Sequence, residues 1–214
     1  MTSRSFSIID SIINEVDKGL RTSFGPAPRA DRANPAVDKP DNEIPDRERE
    51  LAGRFMRINH AGEICAQGLY QGQALTARLP RVRKKMEEAA QEENDHIAWT
   101  ADRIRELGSH TSYLNPFWYA GSFALGALAG LAGDKWSLGF VAETEKQVVE
   151  HLESHMDKLS PTDEKSRAIL EQMRIDEGKH ATTAMTAGAV SFPRPIQRLM
   201  KFTSKIFTNT TYWV

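Results

Sequence analysis

An all-α fold is predicted for this 214-residue chain by three observations. Apolar residues recur at three- and four-residue spacing through four long segments, the period of a helix buried on one face. Prolines and turn residues divide those segments into two pairs, with one long apolar stretch between the pairs. Finally, Glu63 is followed 30 positions later by Glu93-x-x-His96, and Glu145 is followed 32 positions later by Glu177-x-x-His180. Residues three apart are neighbours on a helix, so each E-x-x-H presents a carboxylate and an imidazole on one face. Two such helices, plus one glutamate from each of two more, aim four carboxylates and two imidazoles into a bundle core. That is the ligand set of a two-iron or two-manganese centre in a ferritin-like four-helix bundle.

The elements follow in chain order. Residues 6–20 read as a short amphipathic helix with Ile8, Ile9, Ile12, Ile13 and Val16 on one side. Asp10, Glu15 and Asp17 argue against a mitochondrial transit peptide, and no signal-peptide apolar core is present. Residues 21–46 hold five of the ten prolines and read as an extended linker. Residues 1–46 are therefore expected to be an N-terminal extension and 47–214 the domain. Helices are expected at about 47–78 and 81–106, broken at Pro80. The second pair is expected at roughly 137–159 and 163–190, with Ser160-Pro161-Thr162 as turn and cap and with Gly188 and Pro193 at the end.

The stripes select the ligands. Leu138, Val141, Ala142, Val148, Val149, Leu152, Met156 and Leu159 form one face with Glu145 in its middle, whereas Glu143, Glu150 and Glu153 fall off it as solvated charges. Val82, Met86, Ala90, Ile97, Thr100 and Ile104 share a face with Glu93 and His96 and leave Glu92 outside. Ile169, Leu170, Met173, Ala181 and Ala184 accompany Glu177 and His180, and a weaker stripe of Met56, Ala66, Tyr70 and Ala74 accompanies Glu63. With 17 Glu and 6 His in the chain, about half a chance E-x-x-H match is expected, so a single copy means little. Two copies on apolar faces mean more. A buried carboxylate without a partner costs several kcal/mol or protonates. Two divalent cations would balance four carboxylates and two neutral imidazoles.

Two further stretches stand out. Leu107 to Gly133 contains no Asp, Glu, Lys or Arg, and residues 116–133 are nearly all apolar. A ferritin-like bundle needs one long crossover here, but an aqueous one does not need it this apolar. The run is at the lower limit for spanning a bilayer, about 20 residues, and is expected to lie in or against a membrane interface. Near the C-terminus, Ile196, Leu199, Met200, Thr203, Ile206 and Phe207 mark one helical face beside Arg194, Arg198, Lys201 and Lys205, with Tyr212 and Trp213 after them. No acidic residue follows Glu177. Such a helix suits an anionic lipid surface.

Composition narrows the function. The net charge of −1, with no broad basic face on the bundle, speaks against a nucleic-acid partner. The single Cys65 excludes an intramolecular disulfide and is not counted as a ligand. A rubredoxin-type iron site would need Cys-x-x-Cys, which the sequence lacks.

Asn59-His60-Ala61-Gly62-Glu63, Gln91-Glu92-Glu93-Asn94-Asp95-His96 and Asp176-Glu177-Gly178-Lys179-His180 resemble the demethoxyubiquinone hydroxylase family. Members of that family are di-iron monooxygenases that hydroxylate the benzoquinol ring late in ubiquinone biosynthesis. The resemblance runs from about Arg54 to the C-terminus and leaves residues 1–50 outside. It often has Asp at the position of Asn59, which is not among the six ligands. It implies Glu63, Glu93 and His96 for one iron and Glu145, Glu177 and His180 for the other, with Glu93 and Glu177 bridging and catalytic. It also implies two irons, O₂, an unidentified electron donor and a polyprenylated quinol. His151, six residues after Glu145, is given a role behind the ligands or beside the quinol, and His60 and Tyr70 are weaker candidates. The expected location is peripheral, on the cytoplasmic face of a bacterial inner membrane, with ubiquinone-biosynthesis proteins or a second copy as partners. Hard carboxylates with two imidazoles suit Fe(II), and an apolar wall should keep water from the oxygen chemistry. Ferroxidase or iron-handling activity, a hydroxylase of another substrate such as a tRNA base, and a non-catalytic membrane scaffold are the competing readings. Iron storage requires a hydrophilic, shell-forming exterior.

Overall fold

The computed structural model describes residues 8–214. Seven helices occur among them, and no strand: α1 (Ile8–Phe24), α2 (Asp46–Thr76), α3 (Pro80–Glu106), α4 (Asn115–Ala132), α5 (Asp134–Met156), α6 (Glu164–Thr186) and α7 (Arg194–Trp213). The fold is the expected helical bundle of ferritin-like type, built from the hairpins α2/α3 and α5/α6 with α4 as the crossover. Residue 6, where the N-terminal amphipathic helix was expected to begin, lies outside the described residues. So do the side chains of Ile8, Ile9 and Ile12 on its apolar face.

Helix ends follow from local chemistry. Pro80 opens α3, where its missing N–H costs nothing. The Asp163 side chain caps α6 by accepting from Ser166 N at 3.0 Å. Boundaries differ from the sequence expectation at three glycines, the first being Gly25: α1 runs to Phe24 rather than ending near residue 20. Gly133 has φ +118° and forms the α4/α5 corner, so α5 starts at Asp134 rather than near residue 137. The Asp134 carboxylate then accepts from Arg78 N and Leu79 N at 3.0 and 2.9 Å, tying the α2/α3 turn to the start of α5. Gly188 has φ +106°, and Ala189 N returns to Ala184 O at 3.2 Å, so α6 stops at Thr186 rather than near residue 190.

Two apolar clusters fill the bundle at different levels. One gathers Phe55, Met56, Trp99, Leu152, Ile169, Leu170 and Met173. The other gathers Tyr70, Ala74, Val82, Met86, Leu138, Val141, Ala142 and Ala184. On each of the four bundle helices the E or E-x-x-H residues fall between the two clusters. The polar layer is thus sandwiched between two dry ones.

The proline-rich segment lies on the bundle. Ala36 and Ile44 are buried in the first cluster, and Asn42 Nδ2 donates to Thr162 O at 3.1 Å. Higher up, Asp31 N donates to Asp95 Oδ1 at 2.7 Å. It is extended, as its prolines require, but it is a strap rather than a free tether.

The crossover α4 turns its small residues inward. A Cβ on Gly126 would lie 2.1 Å from Leu69 O, and one on Gly72 would lie 2.2 Å from Phe123 O. Only glycine permits α2 and α4 to approach so closely. The large apolar residues then face out, with Phe117, Leu125, Leu128 and Leu131 all exposed. Helix α7 runs alongside, and Trp118 of α4 meets Phe207 edge-on at 5.1 Å. Its outer face carries exposed Leu199, Phe202 and Ile206. Among the described residues, no helix is long and apolar enough to cross a membrane.

Candidate metal centre

The six residues selected by periodicity come together in the middle layer. Glu63 of α2, Glu93 and His96 of α3, and Glu177 of α6 form one group whose ligand atoms lie within 4.8 Å of one another; Glu145 of α5, Glu177 and His180 form the second. All are buried except His180, which is partly so. His96 Nδ1 stands 3.1 Å from Glu93 Oε2, 3.1 Å from Glu177 Oε1 and 3.5 Å from Glu63 Oε2. His180 Nδ1 stands 3.1 Å from Glu177 Oε2 and 3.4 Å from Glu93 Oε1. Glu93 and Glu177 therefore each direct one oxygen to each histidine, the disposition of a bridging carboxylate. Glu63 and Glu145 each belong to one group only.

Electrostatics describe a site short of positive charge. Burial, reinforced by the Glu93 carboxylate, pushes Glu63 well above the usual carboxylate range, and burial with Glu177 and Glu93 does the same to Glu145. Burial also works to raise Glu93, but hydrogen bonds from His180 and His96 outweigh it and hold the carboxyl well below that range. Burial disfavours a proton on His180, yet Glu177 and Glu93 push it up to about 12. His96 is raised well above its ordinary value against burial by Asp176, Glu177, Glu63 and Glu93. Glu93 Oε1 and Glu177 Oε1 are buried without a well-aligned hydrogen bond, although each faces an imidazole nitrogen. Two divalent ions would take these oxygens as ligands and relieve the charge shortage, so the residues fit a two-metal centre.

The surroundings hold what periodicity missed. His96 Nε2 lies 3.2 Å from Asp176 Oδ2, and Arg32 Nη1 donates to that same oxygen at 2.7 Å. Asp176 stood in a quoted motif, yet nothing in its spacing distinguished it from a solvated acid. Arg32 gave no signal at all, because it lies in a segment without periodicity. Glu92 is exposed as expected from its position off the stripe, but it is not inert: its Oε2 meets His180 Nε2 at 2.6 Å. The Tyr70 hydroxyl donates to Glu145 Oε1, and its ring stands edge-on to His180 at 6.3 Å. Burial, then Glu145, pushes that phenol well above its usual range, so it stays a donor.

His60 and His151 lie outside both ligand groups. Burial drives each down to about 4, and His155 down to about 2, so all three are neutral at neutral pH. His151 and His155 have ring centroids 3.9 Å apart, and His155 Nδ1 lies 3.1 Å from Asn59 Oδ1. Both Asn59 Nδ2 and His151 Nε2 are buried without a hydrogen-bond partner. They line a cavity of about 400 Å³ together with Glu63, Glu145 and Glu177, with Leu69, Leu125 and Phe140, and with Met200 and Phe207 of α7. Cys65 also lines it. Burial pushes its thiol up to about 12, consistent with packing rather than ligation.

Fold and centre together define a ferritin-like bundle with a buried carboxylate and imidazole cluster that could hold metal. The chain belongs to the family described as ubiquinone biosynthesis protein COQ7, whose family model matches residues 50–211. A 3-demethoxyubiquinol 3-hydroxylase of Nitrosococcus oceani is 56% identical over 214 residues, covering 100% of both chains. Proteins of the same name from Cupriavidus metallidurans and Pseudomonas putida are 56% and 52% identical, over 95% and 99% of this chain and 99% and 98% of their own. The family model begins at residue 50, close to Arg54 where the resemblance was placed, and the Nitrosococcus alignment extends similarity over the N-terminal segment as well. The strap's contacts with Asp95 and Asp176 give that segment a physical place in the bundle.

Proposed function

We propose that this chain hydroxylates the benzoquinol ring of 3-demethoxyubiquinol with O₂, using two iron ions held by Glu63, Glu93, His96, Glu145, Glu177 and His180. The observation that carries the reading is the cavity lined by three of those carboxylates and otherwise by a largely apolar wall. Its carboxylate-lined part fits a quinol ring, and its apolar part fits a polyprenyl tail. Two ferrous ions would supply electrons for reducing O₂ to the level that hydroxylates an aromatic ring; one oxygen atom enters the ring, the other leaves as water, and an external donor restores the electrons. The chain's own residues do the rest. Neutral His151 accepts from one ring hydroxyl through Nε2, Asn59 Nδ2 donates to the other ring oxygen, and the Tyr70 phenol holds Glu145 in place. The apolar walls keep bulk water from the reacting ring. Residues 47–214 are assigned as the catalytic domain and 1–46 as an N-terminal segment, of which the strap at 31–44 lies on the bundle.

We assign the chain a peripheral position on the cytoplasmic face of a bacterial inner membrane. Exposed Phe117 and Leu125 of α4 line the cavity together with Met200 and Phe207 of α7, and Arg194, Arg198 and Lys205 of α7 are exposed. Lys201 is a poorer probe of lipid contact than its neighbours because it already pairs with Glu150 at 2.8 Å. Changing Arg198 and Lys205 to Glu should release the protein from anionic vesicles at moderate salt, each basic residue contributing about 1 kcal/mol at such a surface. Hydroxylation of a short-tailed soluble quinol should be unchanged, and that of a long-tailed quinol in vesicles should fall. Full retention on the vesicles would make α7 a packing element. The activity itself is tested by extracting quinones from cells that lack this protein. The methoxy-quinone precursor without the new ring hydroxyl should accumulate, and an unchanged quinone pool would refute the assignment.

A further inference from the structure

Asp95 and Asp176 are both 4% exposed and come from opposite helices, α3 and α6. Asp95 immediately precedes the ligand His96, and Asp176 immediately precedes the ligand Glu177. Two buried carboxylates need counter-charge: Asp176 has Lys179 at 3.3 Å and accepts from Gln172 at 3.1 Å, and the cation bonded to both aspartates comes from the strap. Arg32 Nε donates to Asp95 Oδ2 at 2.5 Å while Nη1 donates to Asp176 Oδ2 at 2.7 Å. The guanidinium also lies 4.9 Å from the centroid of the Trp99 ring. Asp31 N and Arg32 N donate to Asp95 Oδ1 at 2.7 and 3.4 Å, which fixes the strap's backbone at this level. Among the described residues, no other side chain bonds to both aspartates.

We infer that Arg32 is a positioning residue for the metal centre, acting through Asp176 on His96. Asp176 accepts from Nε2 of His96, which orients the ring so that Nδ1 points at Glu63, Glu93 and Glu177. A hydrogen bond to the far nitrogen sets both the tautomer and the ring orientation of a ligating histidine. Arg32 sets the position of Asp176 in turn, and its planar fork spans the two E-x-x-H helices at the height of the ligands. The other ligating histidine is backed instead by the exposed Glu92, whose Oε2 lies 2.6 Å from His180 Nε2 and which Arg32 does not touch. The two ions should therefore respond differently to loss of the strap contact.

This inference rests on the reading of the cluster as a two-metal centre, and anaerobic Co(II) titration of the full chain, followed by visible ligand-field absorption, separates the two. The unaltered protein should bind two ions. Arg32→Ala should weaken one ion by roughly 10–100-fold, the usual effect of removing a partner behind a ligand, and shift its absorption band, while the second ion keeps its affinity. Arg32→Lys should recover only part of the loss, because an ammonium is a point charge that cannot fork between two carboxylates. Asp95→Asn, a near-isosteric change, should weaken the same ion by a smaller factor and serves if Arg32→Ala fails to fold. Unchanged affinity and spectrum in the folded variants, or equal weakening of both ions, would overturn the role given to Arg32. If the unaltered protein binds no Co(II), the metal-centre reading itself falls.

Discussion

Replacing Glu93 or Glu177 with alanine should strip the protein of most of its metal and of its hydroxylase activity. Each carboxylate directs one oxygen to each of the two histidines, so in the proposed two-iron centre each substitution would take a ligand from both ions. Loss of a residue merely behind a ligand typically costs about 10–100-fold in affinity, and loss of a bridging ligand should exceed that. Folding should survive, because each variant also removes a buried negative charge from a site that lacks positive ones. Glu143→Ala is the control: Glu143 is on the same helix as Glu145 but only accepts from Gln147 one turn on, at 2.8 Å. Glu92→Ala is not a clean control, despite its position off the stripe, because Glu92 touches His180. Iron content by metal analysis and thermal unfolding read the two effects separately. Equal iron loss in Glu143→Ala would refute the selection of ligands by helix face.

Gly62→Leu should leave the metal in place and abolish quinol turnover. Gly62 lies inside α2 next to Glu63 and lines the cavity, and a Cβ there would meet nothing within 4 Å. A leucine would therefore occupy substrate space without displacing backbone. The exchange also removes a helix-interior glycine, a gain of roughly 0.5–1 kcal/mol. The expected phenotype is unusual: iron content unchanged, melting temperature equal or higher, and turnover of a long-tailed quinol reduced by at least about tenfold, the equivalent of ~1.4 kcal/mol in the barrier. Normal turnover would mean that the quinol reaches the centre by another route.

Features that depend on helical period were legible before any coordinates. The six ligands sit on apolar stripes because burial and period are the same fact seen twice, and Glu145 was separable from Glu143 on that basis alone. The amphipathic α7 was legible for the same reason. Features that depend on which surfaces meet were not. The glycines of residues 116–133 were visible, but only the fold shows that Gly126 backs onto Leu69 of α2, so that α4 is half packing helix and half exposed apolar face. Arg32 shows the limit most clearly. It sits among prolines without periodicity, and it gains a role only when two aspartates 81 positions apart, Asp95 and Asp176, are brought together. Lys201 likewise reads as one of four equivalent cations until Glu150 of α5 is seen beside it.

The most direct test of the central claim is the origin of the new ring oxygen. Purified protein loaded with two irons is supplied with 3-demethoxyubiquinol, a chemical reductant and ¹⁸O₂, and the product is analysed by mass spectrometry. One labelled oxygen should appear in the ring hydroxyl of each product molecule, and Glu93→Ala should form no labelled product. A hydroxyl that carries its oxygen from water, or labelled product formed by Glu93→Ala at the unaltered rate, would contradict a hydroxylase built on these six residues.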